Sequence, residues 1–501
     1  MLPARVSFVF DRIAGVLNRS NREPPSHPVA RPVARTVRPR LVLAICCMSL
    51  LMSSIDATIV NVALPSIRHD LHAPMADLQW TVDAYTLVVG SFLISAGALA
   101  DRYGRRSIFQ CGLVLFALGS GLCSLAGSAR LLVLARVVQA LGATMLNPVA
   151  MSIITNVFPD PKQRAQAIGV WAAVPGLSMA IGPFGGGLLI EAIGWRSIFW
   201  INLPICALAM LLTTLFVPAF PGRPGQKPDL PGQVLVTAAL GVLVGGIIEG
   251  GRLGFGNPVI AACFALAAAS VALLVLRERR TAAPLLDLRF FRSVPFASAN
   301  LVALCAFSAF SGFLFLNTFF LQDVRHLSPP EAGLWLLPIA LVTLLGSPLA
   351  GRLVGRRGPR PCLLVAGFAF TLSALLLQHL RPATPGWQLI LAYAVFGVGF
   401  AAVNPPITNS AVAGMPRARA GTAAAIASSG RQIGNSIGVA LAGAIAFSGH
   451  GGATLTQSWR PFWWLLGLSG LAIASLGLIA TSRRALATQR RIAHLLDPAA
   501  P

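Results

Sequence analysis

Charge is scarce in this 501-residue chain and negative charge scarcer still: Asp and Glu number 16, against 39 Lys and Arg. Charged residues make up 11% of the total and hydrophobic ones 55%, with a mean hydropathy of +0.73. Soluble domains carry roughly 25% charged residues, so this composition excludes a soluble globular protein. Lysine is nearly missing, Lys162 and Lys227 being its two occurrences. The eight cysteines all fall in or beside apolar runs without zinc-like spacing, which excludes a disulfide framework and a zinc site. A phosphate-cradling loop, a metal-ligand constellation and a nucleophile motif are missing too. An enzyme is therefore the least favoured class, no metal or cofactor is called for, and energy would have to come from an ion gradient instead of ATP. The first 40 residues hold eight Arg and several Pro but no small-residue cleavage site after a short apolar region, which argues against a cleaved signal peptide.

What the chain does have is long apolar runs. Fourteen stretches approach the length of about 20 residues needed to cross a hydrocarbon core: 41–64, 78–100, 108–126, 131–154, 166–190, 197–217, 231–249, 258–276, 296–320, 332–354, 361–380, 388–413, 421–447 and 461–482. An even number puts both termini on one side. The odd-numbered loops hold one basic residue each, Arg68, Arg130, Arg196, Arg252, Arg325, Arg381 and Arg460, while the tails and even-numbered loops hold nearly all the rest. Basic loops mark the cytoplasmic side. A bacterial inner membrane with both termini in the cytoplasm is the expectation, and the Arg, Ala and Gly bias hints at a GC-rich genome. The same placement removes nucleic acid as a partner despite a net charge of +23.

The expected organisation is an all-α membrane protein in five parts. A basic tail covers 1–40, with a surface-lying segment over Phe8 to Leu17 as an alternative to disorder. A six-span block covers 41–217, a linker with two extra spans 218–295, a second six-span block 296–482, and a tail 483–501. Within the linker, Pro284 to Arg292 alternates apolar and charged residues and reads as an interfacial helix.

One motif occurs twice. Gly97-Ala-Leu-Ala-Asp-Arg-Tyr-Gly-Arg-Arg106 fills the gap between spans 2 and 3, and Gly351-Arg-Leu-Val-Gly-Arg-Arg-Gly-Pro-Arg360 follows 254 residues later between spans 10 and 11. A repeat at half-chain spacing in a membrane protein suggests two halves descended from one unit. The second copy has Gly355 where the first has Asp101. Positive-inside charge alone explains Arg102, Arg105 and Arg106, but not an acid among the glycines Gly97 and Gly104. Asp101 could bond a helix N-terminus or an Arg of the other half and release it when the halves rock.

Ionisable groups inside a bilayer cost roughly 2.5–3.5 kcal/mol each on insertion scales, so each is a functional candidate. Spans 1 and 2 hold Asp56 and Asp83, span 4 holds Arg136, and span 13 holds Arg431. A carboxylate and an arginine sharing one cavity could exchange protonation for another solute. Each also admits a structural reading as a buried hydrogen-bonding or ion-pairing group. Span 5 carries Gly182-Pro183-Phe184-Gly185-Gly186-Gly187 after Gly169 and Pro175-Gly176, a composition that bends a helix and admits a close neighbour.

Together these residues resemble the major facilitator superfamily, and within it the fourteen-span drug:proton antiporters. Gly97 to Arg106 resembles the superfamily's loop signature, and Ile55 to Pro65, with Asp56, Thr58, Asn61 and Pro65, is similar to the span 1 motif of the fourteen-span group. Leu134 to Gly142 keeps Arg136 and Gln139 of the span 4 motif, with Ala140 where Gly is usual. Gly169 to Gly186 resembles the antiporter motif, with Ser178 in place of one glycine, and Gly194 to Pro204 is also typical of the group. The resemblance implies the superfamily fold, two six-helix bundles with two inserted helices, and proton-coupled efflux of small amphipathic drugs or toxic compounds by alternating access. It implies proton-coupling roles for Asp56, Asp83 and Arg136, gating roles for Gly97, Asp101, Arg102, Gly104, Arg105 and Arg106, and an antiporter motif at Gly169, Gly182, Pro183 and Gly186.

Polar and aromatic residues near the expected central cavity are candidate substrate contacts: Trp80, Tyr85, Asn147, Phe313, Asn317, Trp335, Asn404, Arg431 and Gln432. The partners called for are a small-molecule substrate, protons and the lipid bilayer, with a monomer plausible. Two alternatives stand beside this reading, a dedicated exporter of one endogenous metabolite or antibiotic and a non-transporting membrane sensor or scaffold.

Overall fold

In hydrocarbon a chain must satisfy its own backbone, so apolar runs of this length fold as helices. The computed structural model describes residues 38–220, 222, 229–281, 284–416, 419–447 and 455–496, and among these there is no strand. The tail expected over 1–40, Phe8 to Leu17 included, lies outside the described residues up to residue 37.

Fifteen helices carry the fold. The first six are α1 (Pro39–Leu71), α2 (Met75–Tyr103), α3 (Arg105–Ser124), α4 (Ala129–Val157), α5 (Pro161–Ile193) and α6 (Ser197–Phe216, interrupted at Ile201). Next come α7 (Leu230–Leu253) and α8 (Pro258–Glu278). The second set of six is α9 (Val294–Phe319), α10 (Pro329–Arg357, interrupted at Leu336), α11 (Arg360–Leu377), α12 (Gly386–Val412), α13 (Ala420–Phe447) and α14 (Arg460–Ala480). A last helix, α15 (Arg483–Leu496), lies within the expected tail.

Helix starts follow from sequence. Proline occupies the first turn of α1, α5, α7, α8 and α9, where its missing N–H costs nothing. Asp160 and Asn257 cap α5 and α8 by accepting from the backbone N–H of Gln163 (2.8 Å) and Val259 (2.9 Å). Between α2 and α3 the chain turns at Gly104, whose φ of +94° strains any other residue.

Thirteen helices among the described residues are long and apolar enough to cross a membrane. The 28-residue α13 is not among them, because Arg431, Gln432, Asn435 and several Gly and Ser dilute its apolar content. It nevertheless packs along α9, α2 and α7.

Helices α1–α6 pack on one another, as do α9–α14, and the two sets meet along two seams. The first is α2 on α13. Here Gln79 Nε2 donates to the carbonyls of Val439 (3.3 Å) and Ala440 (3.0 Å), Thr86 and Ser436 share a 2.8 Å hydroxyl contact, and Gly90 faces Gln432. The second is α5 on α10. Gly187 lies against the backbone of Pro329 and Pro330, and Gly333 against that of Pro183 and Phe184, so each helix offers a glycine to the other's main chain. Helix α7 covers the α2–α13 seam, with Gln233 bonded to Ser95 (2.5 Å) and to the carbonyl of Ser91 (3.0 Å), and α8 packs on α7.

The two bundles are tied together at one end, and α5 is uncovered toward the other. At the end away from the Gly97–Arg106 loop, Gln322 donates to the carbonyl of Val62 (2.9 Å), and Arg68 pairs with Asp323 at 3.5 Å. Toward the Arg-rich end the α5 surface is bare, with Gly169, Val170, Ala172, Ala173 and Pro175 exposed, and nothing lies within 4 Å of a Cβ built on Gly97, Gly169, Gly351 or Gly355.

The segment expected as an interfacial helix, Pro284 to Arg292, forms only a single 3-10 turn over Leu288–Arg292. Asp287 caps the start of this turn by accepting from the backbone N–H of Arg289 (3.1 Å), and Phe290 plugs fully into the α9–α13 packing. Burial raises the Asp287 carboxyl, but its bonds to Arg289 outweigh this and hold it below the usual carboxylate range.

Gly187→Leu is expected to destabilise the purified protein by about 1–3 kcal/mol, the usual cost of overpacking. Thermal unfolding in detergent measures it, and the bare position Gly169→Leu serves as the control.

Candidate functional site

The polar interior of the first bundle is one connected network. Asp56 on α1 and Arg136 on α4 form an ion pair at 2.6 Å with side-chain exposures of 0% and 1%. Gln139, one turn on from Arg136, donates to Asp56 (2.7 Å) and to Ser120 of α3 (2.8 Å), and accepts from Arg136 (2.7 Å). Asn202 of α6 donates to Asp56 at 3.1 Å, and Arg136 Nε donates to the carbonyl of Thr81 on α2 (3.2 Å). The guanidinium lies 4.2 Å from the ring centroid of Tyr85. Five helices thus meet in one network around this carboxylate, which itself accepts from α4 and α6. A buried pair is tolerable when hydrogen bonds answer its charges, and here both carboxylate oxygens of Asp56 and the Nε and Nη1 donors of Arg136 have partners.

Asp83 has the opposite environment. It is 0% exposed, on the α2 face that meets α13; neither carboxylate oxygen has a hydrogen-bond partner within 3.5 Å among the described residues, although the Ser436 hydroxyl is close enough to interact with the side chain. Across the seam Ser436 directs its hydroxyl to Thr86 (2.8 Å) and approaches the main-chain oxygen of Asp83 at 3.5 Å. A charged carboxylate here would bear the full cost of desolvation, and a neutral acid a small fraction of it.

In the loop motif, Asp101 pairs with Arg105, the first residue of α3, at 3.2 Å and is 68% exposed. Arg106 donates to the carbonyl of Thr214 at 2.8 Å, and Arg102 lies over Tyr103. The motif therefore braces α2, α3 and α6 within one bundle. In α5, Gly182 and Gly186 sit directly against Thr58 and Ile59 of α1, while the Pro183 carbonyl abuts Gly333 of α10. One short stretch of α5 thus contacts both bundles, whereas Gly169 faces open space.

The remaining candidates divide by location. Trp80 packs with Leu240 and Val244 of α7, and Tyr85 belongs to the Asp56 network. Phe313 and Asn317 are buried inside the second bundle, where the Tyr393 hydroxyl donates to Asn317 at 2.6 Å. Trp335 stands near Arg325 at the tied end. Asn147 (near Ser53, 3.5 Å), Asn404, Arg431 and Gln432 are half-buried. Arg431 donates to Thr408 at 2.6 Å, beside a ring cluster of Phe307, Phe310 and Phe400. Sequence gave no signal for Ser120, Phe307, Phe310 or Ser436. Asn202 lay in a quoted motif without a role.

With this geometry in place, comparison with known proteins settles the family. Residues 46–439 match the family model of the Major Facilitator Superfamily. The chain belongs to that superfamily. Among its relatives is the multidrug resistance protein Stp of Mycobacterium tuberculosis, 39% identical over 398 residues, covering 79% of this chain and 74% of the relative. The tetracenomycin C resistance and export protein of Streptomyces glaucescens is 37% identical over 415 residues, covering 82% and 76%. The methylenomycin A resistance protein of Streptomyces coelicolor is 33% identical over 397 residues, covering 79% and 83%. As a superfamily member, the chain is a multi-pass transporter that takes a small-molecule substrate through the bilayer.

Asp56→Asn is expected to cost about 3–5 kcal/mol, since it leaves a buried guanidinium uncompensated. Asp83→Asn removes a carboxylate whose oxygens have no hydrogen-bond partner among the described residues, and is expected to leave stability unchanged or raise it. Parallel unfolding curves in detergent separate the two acids.

Proposed function

We propose that this chain exports small amphipathic compounds in exchange for protons, by alternating access across a bacterial inner membrane. Its resemblance to proteins named for multidrug resistance and antibiotic export supports the direction of transport. The Arg-rich loops and tails support a cytoplasmic location for both termini. On that reading α13 completes fourteen spans, the loop-motif end is cytoplasmic, and the conformation described above is open to the cytoplasm.

The observation that carries proton coupling is the bare, buried carboxyl of Asp83 in the α2–α13 seam. When the seam closes, the acid is best accommodated in its neutral form. When the outer half of the seam parts, water reaches it and it exchanges a proton with the outside. Ser436 and Gln432 lie one turn apart on α13 and Arg431 is the chain neighbour of Gln432, so compound binding near Arg431 bears on the seam that holds the proton. Asp56 and Arg136 modulate this step by fixing α2 through Thr81, and Asp101 with Arg102, Arg105 and Arg106 gates the cytoplasmic mouth. The α5 glycines and Pro183 form the second seam about which the bundles rock.

A second reading, a dedicated exporter of one metabolite or antibiotic, is favoured by the relatives named for a single antibiotic. Proteoliposomes with a trapped pH dye and an imposed pH gradient test both. Compound-driven proton movement is expected, and Asp83→Asn is expected to abolish it. A response to several compounds supports a multidrug exporter, and a response to one supports the dedicated form. Compound flux without proton movement, unchanged in Asp83→Asn, contradicts the coupling.

A further inference from the structure

The interior holds a cation to which the transport cycle proposed above gives no chemistry of its own. Arg431 on α13 is absent from every ion pair among the described residues. A guanidinium offers five N–H donors. In this one a nitrogen donates to Thr408 Oγ1 at 2.6 Å, while Nε is buried without an acceptor. The carboxylates of the spans are committed elsewhere: Asp56 is locked to Arg136, and Asp83 is enclosed in the α2–α13 seam.

The neighbours of Arg431 are aromatic. Phe310 and Phe400 stack with centroids 4.3 Å apart and planes at 15°, and Phe307 meets Phe400 edge-on at 5.3 Å. The Arg431 guanidinium carbon lies 5.9 Å from the Phe307 ring centroid. Phe307, Phe310 and Arg431 keep part of their surface uncovered, and Thr408 is exposed. An unpaired guanidinium beside half-open rings offers a flat apolar surface and a bidentate anchor for an oxyanion. A lipophilic cation gains only the rings there, and meets repulsion from the guanidinium with no carboxylate to offset it.

We infer that the transported compounds are planar aromatic acids, carboxylates or phenolates, held by Arg431 against Phe307 and Phe310, with Phe400 stacked behind. This rests on the export reading above and names its substrate class. It also fixes the electrical character of transport. Exchange of a monoanion for an incoming proton moves net positive charge inward, so membrane potential drives it, whereas exchange of a monovalent cation for a proton moves none.

Equilibrium binding of 1-naphthoate and 1-naphthylmethylammonium, which share one ring system, to the purified full-length chain tests the inference. Naphthoate is expected to bind about tenfold or more tighter than the ammonium compound, the scale of one charge-assisted hydrogen bond. Arg431→Gln should remove that preference, Arg431→Lys should keep part of it, and Phe310→Ala should weaken both ligands together. Ammonium binding as tight as naphthoate binding, or naphthoate binding unchanged in Arg431→Gln, overturns the inference. Gradient-driven efflux of each probe separates the two levels. Efflux of the ammonium compound alone overturns the anion site and leaves export standing. Arg431-dependent naphthoate binding without efflux of either probe supports the site and counts against export.

Discussion

The rest of this structure depends on the rule that hydrocarbon offers no hydrogen bonds, so each polar group must be answered by the protein itself. Asp56 meets that rule in full. Its partners come from α4 and α6, and Arg136 extends the network to the α2 backbone and the face of Tyr85. Such a knot holds a bundle in one arrangement, because moving any of these helices strands a charge. Asp83 breaks the rule, and it does so in a seam between bundles and not inside one. On the cycle proposed above, a fixed pair within one bundle and an acid between the two bundles would divide the labour according to where each acid sits.

Helix α13 joins the parts. Its Ser436 faces the Asp83 segment, Gln432 packs against Gly90, and Arg431 turns to the ring cluster of the second bundle. Its small residues let it lie close to α9, where Ser308 and Ser311 donate to the carbonyls of Gly434 (2.9 Å) and Asn435 (2.7 Å). The composition that makes α13 too polar for a simple membrane span is what sets Ser436 beside the Asp83 segment and Arg431 beside the rings on neighbouring turns.

Much of the fold was legible in the sequence, because the length of each apolar run reports bilayer thickness directly. The intramembrane acids and arginines were legible for the same reason, their cost in lipid making them conspicuous. Which face a residue presents was not. Helices apolar on all sides carry little amphipathic signal, so Phe313 and Asn317 stood as cavity candidates although they lie inside the second bundle, and Trp80 although it packs on α7. The partners of Asp56 were hidden in another way: Ser120 and Asn202 are uncharged residues on distant helices, and only packing brings them to Gln139 and the carboxylate. The shortness of the turn at Leu288–Arg292 is not legible either, because alternation of apolar and charged residues does not report that Asp287 starts the turn only at Leu288.

In the coupling proposed above, Asp83 holds a proton in the closed seam and gives it up during transport. Infrared difference spectroscopy of the reconstituted protein, taken with and without a transported compound, reads this directly. The account predicts a protonated carboxylic acid band in the compound-free state that diminishes on compound addition and is missing from Asp83→Asn. A spectrum with no such band, or with one that persists in Asp83→Asn, contradicts it.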